Sequence, residues 1–290
     1  MRERELITKI VECLHISNED AFVFPFDDTL FSLTIDTLVA KTDVPDRMTD
    51  FQIGWKTVVM NLSDLAAMGS TPKFFLCSLT FPKGYPVLDI IKGIKSACDT
   101  YCCKYSGGDL NEGELSASGF ALGISKTVML RSGAKPGDKV GITGDVGRVY
   151  AGLKDLENAT EPMKEKIFSP QPRIEESLTL NLNAHSCIDI SDGLSSELYH
   201  IAEASDVRIN IDSDKIPIHP DVIKKAHSQG EDPLTWALKS GEEYELVFTS
   251  GSTPEIGTEI GEVTPGKGVF LDGSTMPLLG WEHYNQHYNQ

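Results

Sequence analysis

Apolar positions recur along the chain with two different periods, and these periods predict an alternation of strands and helices. Residues 30–34 and 74–79 are dense in apolar side chains, and residues 115–124 alternate small with apolar side chains, so we predict strands there. Apolar residues return every three or four positions over 53–68 and 90–105, which is the spacing of one helix face. The first half of the chain therefore predicts a mixed structure of helices and strands.

A turn-rich stretch, residues 131–138, divides this half from the next one. The strand and helix patterns beyond it occupy residues 139–143, 149–156, a segment that ends at 190, one that begins near 194, and 243–248. Because both halves share the same rhythm, we predict an α/β (α+β) protein with two domains of similar size, residues 1–132 and 133–290.

Five aspartates stand at predicted strand ends or beside small residues, where an α/β protein gathers its functional side chains. They are Asp36, Asp64, Asp109, Asp189 and Asp192. Carboxylate oxygens are the ligands that Mg²⁺ prefers, usually together with water and substrate phosphates. Several converging aspartates therefore suit two or more ions on a nucleotide. The alternative for Asp64, Asp189 and Asp192 is that each caps a helix or a turn.

The excess of acidic over basic residues excludes some classes of binding partner. The chain has 26 basic and 43 acidic residues and a formal net charge of −17, which argues against nucleic acid and against an anionic membrane surface. An acidic protein that handles phosphorylated small molecules needs a divalent metal to offset the repulsion. No apolar run is long enough for a membrane span and no leader pattern is present, so we expect a cytoplasmic location.

Several familiar active-site signatures are absent. There is no Gly-x-x-x-x-Gly-Lys-Ser/Thr loop, no Gly-x-Ser-x-Gly elbow and no His-Glu-x-x-His pair. Gly141, Gly144 and Gly147 differ from a dinucleotide fingerprint in their spacing, so a tight turn is the preferred interpretation. The six cysteines form no Cys-x-x-Cys pair, and we interpret those at 98, 102 and 103 as buried thiols on a helix.

Six sequence blocks, taken in order, resemble the signature of the thiamine-monophosphate kinase family. They are Ile-Gly-Trp-Lys at 53–56, Asn-Leu-Ser-Asp-Leu-Ala-Ala-Met-Gly at 61–69, Gly-Gly-Asp at 107–109, Leu-Arg-Ser-Gly-Ala-Lys-Pro-Gly-Asp at 130–138, Ile-Asp-Ile-Ser-Asp-Gly-Leu at 188–194 and Gly-Glu-Glu-Tyr-Glu-Leu at 241–246. The resemblance extends from about residue 16 to 284. The nine-residue block at 61–69 is the most specific of them.

The resemblance implies the two-domain PurM-like fold of aminoimidazole ribonucleotide synthetase, with an N-terminal α/β domain that dimerises through its strands. It implies transfer of a phosphoryl group from ATP to thiamine monophosphate, with ATP and two or more Mg²⁺ bound. The implied oxygen ligands of the metal are Asp20, Thr34, Asp36, Asp64, Asp109, Asp189 and Asp192. The implied ATP contacts are Gly108, Asp109, Arg131 and Ser191, and the implied substrate contacts are Asp43, Glu242 and Trp281. Among these, Asp64, Asp109, Arg131 and Asp192 are the expected catalytic residues.

This sequence departs from the family pattern mainly on the substrate side. The substituted positions are Asn18, Glu19, Ile35, Asp43, Leu110, Arg148, Ser240 and Glu243. Two alternatives therefore stay open beside the kinase. One is another ATP-dependent enzyme of the same superfamily, and the other is a relative that binds nucleotide or metal without catalysis. For Trp281 the alternative is packing in the core.

Overall fold

The structure is a computed structural model that describes residues 3–253 and 255–281, and two mixed β-sheets organise it. The elements before residue 126 are α1 (Glu3–Leu14), β1 (Phe22–Phe26), β2 (Thr29–Val39), α2 (Ala40–Asp43), α3 (Asp50–Ala67), β3 (Thr71–Phe81), α4 (Leu88–Thr100), β4 (Lys104–Glu112) and β5 (Ser116–Ser125). Their strands pair in the order β1-β2-β5-β3-β4, with only β3 and β4 parallel. Helices α3 and α4 pack on one face of this sheet.

Helix α3 contains most of the sequence block at 61–69, and it has a defined start. Thr49 accepts a hydrogen bond from the Gln52 amide at 3.3 Å, and the Gln52 side chain accepts one from the Thr49 amide at 2.9 Å. This capping box satisfies amides that a helix start leaves unpaired. Gly54 lets α4 approach closely, since a Cβ there would stand 2.0 Å from the Ile90 carbonyl oxygen. The helix is therefore fixed in position against α4 as well as against the sheet.

The elements after residue 138 form the second sheet and its helices. They are β6 (Lys139–Ile142), α5 (Arg148–Lys154), α6 (Glu161–Phe168), α7 (Ile174–Leu180), β7 (Ala184–Asp189), α8 (Leu194–Ser205), β8 (Arg208–Ile211), α9 (Pro220–Ser228), α10 (Pro233–Lys239), β9 (Leu246–Ser250), β10 (Thr258–Thr264), β11 (Gly268–Leu271) and β12 (Ser274–Thr275), with a short 3₁₀ turn at Ser213–Lys215. The strand order is β12-β11-β8-β10-β6-β9-β7. Helix α8 packs on this sheet, and their apolar side chains form the second large core.

The C-terminal end of α3 joins the two halves. Ala66 and Ala67 share a fully buried cluster with Leu246 and Phe248 of β9. Trp55 donates from Nε1 to the carbonyl oxygen of Pro170 at 2.8 Å. Burial of apolar surface contributes about 25 cal/mol per Å², so this shared cluster favours one arrangement of the two sheets. The end of α3 is thereby held beside β7 and β9.

The predicted α/β (α+β) two-sheet architecture is confirmed, and the boundary after residue 132 stays a prediction. The helix predicted over 90–105 is wrong at its end, because α4 stops at Thr100 and β4 begins at Lys104. The expectation of three buried thiols on a helix is confirmed for Cys98 alone. Cys103 is buried but lies beyond α4, and Cys102 lies beyond it as well and is exposed, with φ of +51°. Similarly, β9 begins at Leu246, three residues later than predicted.

The glycine turn before α5 has the expected conformation. Gly144 and Gly147 have φ values of +55° and +102°, which favour glycine, so the tight-turn interpretation is confirmed for these two. It is wrong for Gly141, which lies inside β6. Across the part of the chain that the structure describes, every helix is too short or too polar to cross a bilayer. The cytoplasmic location stays a prediction.

Candidate active site

A cavity of about 650 Å³ opens where the two sheets meet, and it collects most of the predicted residues. The side chains at its wall come from both halves of the chain. The predicted residues among them are Asp20, Thr34, Asp36, Asp43, Asp64, Arg131, Asp189, Ser191, Asp192, Glu242 and Trp281. Of the predicted site residues, only Gly108 and Asp109 do not line this cavity.

Three carboxylates converge at one point of the cavity wall. Asp20 precedes β1, Asp64 lies in the last turns of α3, and Asp189 ends β7. One oxygen of each lies within 4.8 Å of the other two. Asp64 lies inside α3 and Asp189 ends a strand, so neither is a helix cap. The alternative capping interpretation is wrong for both.

Neighbouring hydroxyls and one guanidinium orient these carboxylates. Thr34 of β2 donates to Asp64, and Ser63 donates to Asp189 with 2.5 Å between the oxygens. Arg131 donates from Nε to Asp20 Oδ1 at 3.0 Å, and its second contact with the same oxygen is shorter. Hydrogen bonds of this kind lock rotamers, so the three acids hold fixed positions before any ligand arrives.

The pKa values of these acids are displaced upward. Burial, reinforced by the charges of Asp36 and Asp189, raises the pKa of Asp64 well above its usual range. Burial and the Asp20 charge raise the pKa of Asp189 to about 8. The pKa of Asp20 is also raised by burial, although Arg131 opposes the shift. Positive charge supplied by the protein is therefore insufficient for three ionised carboxylates.

The donor set fits a divalent cation. Asp20 Oδ2 is buried without a hydrogen-bond partner, although the other oxygen of that carboxylate is held by Arg131. An orphaned buried carboxylate oxygen is costly unless a cation or a proton meets it. Oxygen-only ligands from several carboxylates are those that Mg²⁺ takes in phosphate-handling sites. These observations favour a Mg²⁺ position among Asp20, Asp64 and Asp189.

Arg131 and the loop after β7 form the neighbouring wall. The backbone amide of Arg131 donates to Glu19 Oε2 at 2.7 Å, so the substituted glutamate holds the arginine loop. Asp192 is not the cap of α8, because Gly193 holds that position and no side chain bonds there. Instead, the Asp192 amide donates to Glu197 Oε1 at 3.1 Å. Ser191 and Asp192 thus face the cavity from a loop that a buried glutamate fixes.

The residues predicted to face thiamine also line the cavity. Trp281 is 38% exposed and its amide donates to the Asp192 carbonyl at 3.0 Å, so the core-packing interpretation is wrong. Glu242 lies in the loop between α10 and β9 with φ of +56°. Its Oε1 lies 2.5 Å from Nζ of Lys56, and the same Nζ donates to the Asp43 carbonyl at 2.8 Å.

Gly108 and Asp109 stand apart from this group. Both are exposed on β4, the edge strand of the first sheet, where Asp109 accepts a hydrogen bond from Asn111 at 2.8 Å. A Cβ at Gly108 would stand 1.7 Å from the Cys77 carbonyl oxygen, so strand packing alone requires a glycine there. Their roles in ATP and metal binding stay predictions.

Several residues that support the site are not among those predicted from the sequence. Asn61 accepts from the Asp36 amide at 3.1 Å, and Ser63 orients Asp189. Both belong to the most specific sequence block, which was a signal for them. Lys56 and Glu197 gave weaker signals, because each charged residue would ordinarily be placed on the outer face of a helix.

Both halves of the chain match domains of known proteins. Residues 18–125 match the model for the N-terminal domain of AIR synthase related proteins, and residues 135–273 match its C-terminal domain. The thiamine-monophosphate kinase of Pyrococcus horikoshii is 42% identical over 98% of this chain and 96% of its own length. The Archaeoglobus fulgidus thiamine-monophosphate kinase is 34% identical, over 98% of both chains.

Solved structures give the same result. One described as AaThiL complexed with AMPPCP and TMP superimposes with a TM-score of 0.92, at 31% identity over 98% of this chain and 97% of that one. The hydrogenase maturation protein HypE in complex with ATP, at 16% identity and a TM-score of 0.68, shares the fold alone. Two relatives above 30% identity match almost from end to end, and the chain therefore belongs to the thiamine-monophosphate kinase family.

Proposed function

We propose that this protein transfers the terminal phosphoryl group of ATP to the phosphate of thiamine monophosphate, giving thiamine diphosphate and ADP. The observation that carries the proposal is the convergence of Asp20, Asp64 and Asp189 beside Arg131 in one cavity. Such a group of acids and a guanidinium suits polyphosphate and metal together. The family to which the chain belongs supplies the identity of the acceptor.

This phosphoryl transfer needs no strong general base. The accepting phosphate oxygen is already anionic at neutral pH, so the barrier lies in bringing two anions together and in stabilising charge on the transferred group. Bound Mg²⁺ supplies positive charge to phosphate oxygens. Arg131, held by Asp20 and Glu19, presents its guanidinium at the same wall. A direct in-line transfer, without a phosphorylated residue, follows as the mechanism we favour.

The protein's own part is to hold groups in place. Asp20, Asp64 and Asp189 would hold one Mg²⁺, and Asp36 and Asp192 face the same cavity as candidates for a further ion. Thr34 acts here through Asp64, to which it donates, so its contribution is orientation. Positioning of this kind supplies much of the rate enhancement in phosphoryl transfer.

The opposite wall suits a planar cation such as a thiazolium. Trp281 offers an aromatic face, and the carboxylates of Glu242 and Asp43 add negative charge. Cation–π contacts of this type are worth about 0.5–2 kcal/mol. We therefore assign Asp43, Glu242 and Trp281 to the thiamine end of the acceptor.

We further propose that two copies of the chain associate through the first sheet. The face of this sheet opposite α3 carries two apolar rows in register across β2, β5 and β3. These rows are Leu33, Leu122 and Phe74, and Ile35, Phe120 and Leu76. Ile35 is 68% exposed and Phe74 is 45% exposed. A contiguous group of exposed apolar side chains is typical of a protein–protein interface. Ile35 also borders the cavity.

A single assay separates the kinase from its alternatives. Purified protein is incubated with Mg²⁺, ATP and thiamine monophosphate, and thiamine diphosphate is measured. ATP binding without product would favour a relative that has lost catalysis. ATP consumption that requires a different acceptor would favour another enzyme of the superfamily.

The proposed interface is tested separately by the mass of the protein in solution. Leu76→Asp should convert a dimeric mass at micromolar concentration to a monomeric one. A monomeric wild-type protein would refute the proposed interface.

A further inference from the structure

Lys56 is a buried cation that no assigned role explains. Its side chain is 2% exposed, although it belongs to α3 and lies only two turns before Asp64. A buried ammonium requires partners, since removing an unpaired charge from water is strongly unfavourable. Its partners are Glu242 Oε1 at 2.5 Å and the Asp43 carbonyl oxygen at 2.8 Å. Both belong to the wall that we assign to thiamine.

We propose that Lys56 is a positioning residue that holds the Glu242 carboxylate and the Asp43 turn in the geometry that accepts the cationic end of the substrate. The inference rests on the proposed function. Lys56 itself is not at the cavity wall, so it acts on the ligand through these two neighbours. Its effect should therefore fall on the acceptor and leave the nucleotide unaffected.

Glu242 needs such support because its backbone is strained. Its φ is +56°, and Tyr244, two residues on, has φ of +50°. A left-handed conformation is unfavourable for a residue that carries a Cβ, because the Cβ comes too close to the following carbonyl oxygen. The turn that carries Glu242 packs against the loop after β7, because the Glu242 amide donates to the Ser191 carbonyl oxygen at 2.7 Å. A Cβ at Gly241 would stand only 2.6 Å from that same carbonyl oxygen.

The two ends of the ion pair differ in their surroundings. The Glu242 side chain is 35% exposed, so it can face both Lys56 and the cavity. The Lys56 side chain is buried and does not reach the cavity. An ammonium beside Glu242 also weakens the attraction of that carboxylate for a cation, so Lys56 is expected to act through geometry and not through charge.

Asp43 adds a second constraint from the first half of the chain. Its carboxylate Oδ2 accepts from the Val39 amide at 2.7 Å, while its carbonyl accepts from Lys56. The short helix α2 is therefore fastened at both ends. One ammonium thus connects α3, the end of α2 and the loop that carries Glu242, and it sets the distance between the two acids at the thiamine wall.

The test uses Lys56→Met, which keeps the length and burial of the side chain. We expect the KM for thiamine monophosphate to rise by up to about 100-fold, the cost of misplacing a positioning group by about 1 Å, with the KM for ATP unchanged. Lys166→Met is the matched control, because Lys166 is also a buried lysine paired with a glutamate, but its partner Glu245, unlike Glu242, does not line the cavity. That variant should lose thermal stability without a change in either KM.

A double variant tests whether Lys56 acts through Glu242. Glu242→Ala leaves the buried ammonium without its carboxylate, so its Tm should fall. Adding Lys56→Met should recover part of that Tm and add no further rise in the KM for thiamine monophosphate. If Lys56→Met proves unstable, Lys56→Gln, which keeps a hydrogen-bond donor at the Asp43 carbonyl, gives the same comparison.

The possible failures are distinguishable. A wild-type protein that forms no thiamine diphosphate overturns the proposed function and this inference with it. An active wild type whose Lys56→Met variant keeps its KM for thiamine monophosphate overturns the role of Lys56 alone. So does an equal rise in the KM for ATP, or full additivity of the Lys56 and Glu242 changes.

Discussion

Ser63 Oγ lies 2.5 Å from Asp189 Oδ2, and this hydrogen bond links the last turns of α3 to the end of β7. The two residues come from opposite halves of the chain, and Ser63 is fully buried. Ser63 directly precedes Asp64 and belongs to the sequence block with the greatest specificity. The bond therefore sets the separation of two candidate metal ligands, Asp64 and Asp189.

The first prediction concerns this bond. Ser63→Ala removes the donor without adding volume, so Asp189 should lose its fixed rotamer while the fold persists. Loss of an orienting partner typically costs 10–100-fold, and we expect about a tenfold lower affinity for Mg²⁺. Calorimetric titration with Mg²⁺ measures this. Ser70→Ala is the control, because it also removes a buried hydroxyl, but one that is bonded to Ser32 and neither residue lines the cavity. Equal Mg²⁺ affinity in the two variants would contradict the assignment.

The second prediction separates catalysis from stability at Asp64. Asp64→Asn should abolish turnover, because a metal ligand and its charge are lost. The same change should raise the Tm of protein treated with a chelator, because burial and the charges of Asp36 and Asp189 oppose ionisation of Asp64. Steady-state assays and thermal scans check the two parts. Near-normal activity, or a lower Tm without metal, would count against the proposed role.

How much the sequence could predict is visible in the contrast between Asp64 and Asp109. The helix around Asp64 was predicted because its apolar residues recur at helical intervals. Asp109 follows the helix predicted over 90–105 and no strand is predicted around it, yet it lies inside β4. Residues 104–112 are mostly small or polar and carry little strand signal, and the strand exists because it pairs in parallel with β3. Pairing between distant segments cannot be read from local pattern.

The burial of charged side chains is a second feature that could not be predicted from the sequence. Lys56 sits in an otherwise apolar stretch of α3, where a lysine is ordinarily exposed. It is buried because Glu242, far away in sequence, supplies a carboxylate. The resemblance to the family placed Asp20 and Glu242 at the site, but it could not assign partners to them. Those partners follow from the packing of the two sheets.

The third prediction concerns the wall formed by α5. Glu243, fully buried, accepts from the Gly147 and Val149 amides at 2.8 and 3.1 Å and from the Ser240 hydroxyl at 2.6 Å. Glu243→Ala leaves these donors unsatisfied, so we expect about 2–4 kcal/mol less free energy of unfolding. Denaturant unfolding measures it. Glu262→Ala, at an exposed glutamate, should change stability little, and similar losses in both variants would refute the assignment.

The fourth prediction is a pH dependence of metal binding. The pKa of Asp189 is raised to about 8 by burial and by Asp20, and that of Asp64 is raised as well. Between the ordinary aspartate pKa and about 8, the chelator-treated folded protein holds protons that the unfolded chain has released, so its stability should fall as pH rises through this window. Mg²⁺ must displace the same protons. Its affinity, and the rise in Tm that it causes, should therefore increase from pH 6 to pH 8.

Calorimetry in buffers of different ionisation enthalpy tests this, because proton release on Mg²⁺ binding adds a heat proportional to that enthalpy. Asp189→Asn should release fewer protons and show a flatter dependence on pH. Mg²⁺ affinity that is constant from pH 6 to pH 8, with no release of protons, would mean that the carboxyl groups are already ionised. Arg131 and solvent would then neutralise the three acids more fully than burial allows.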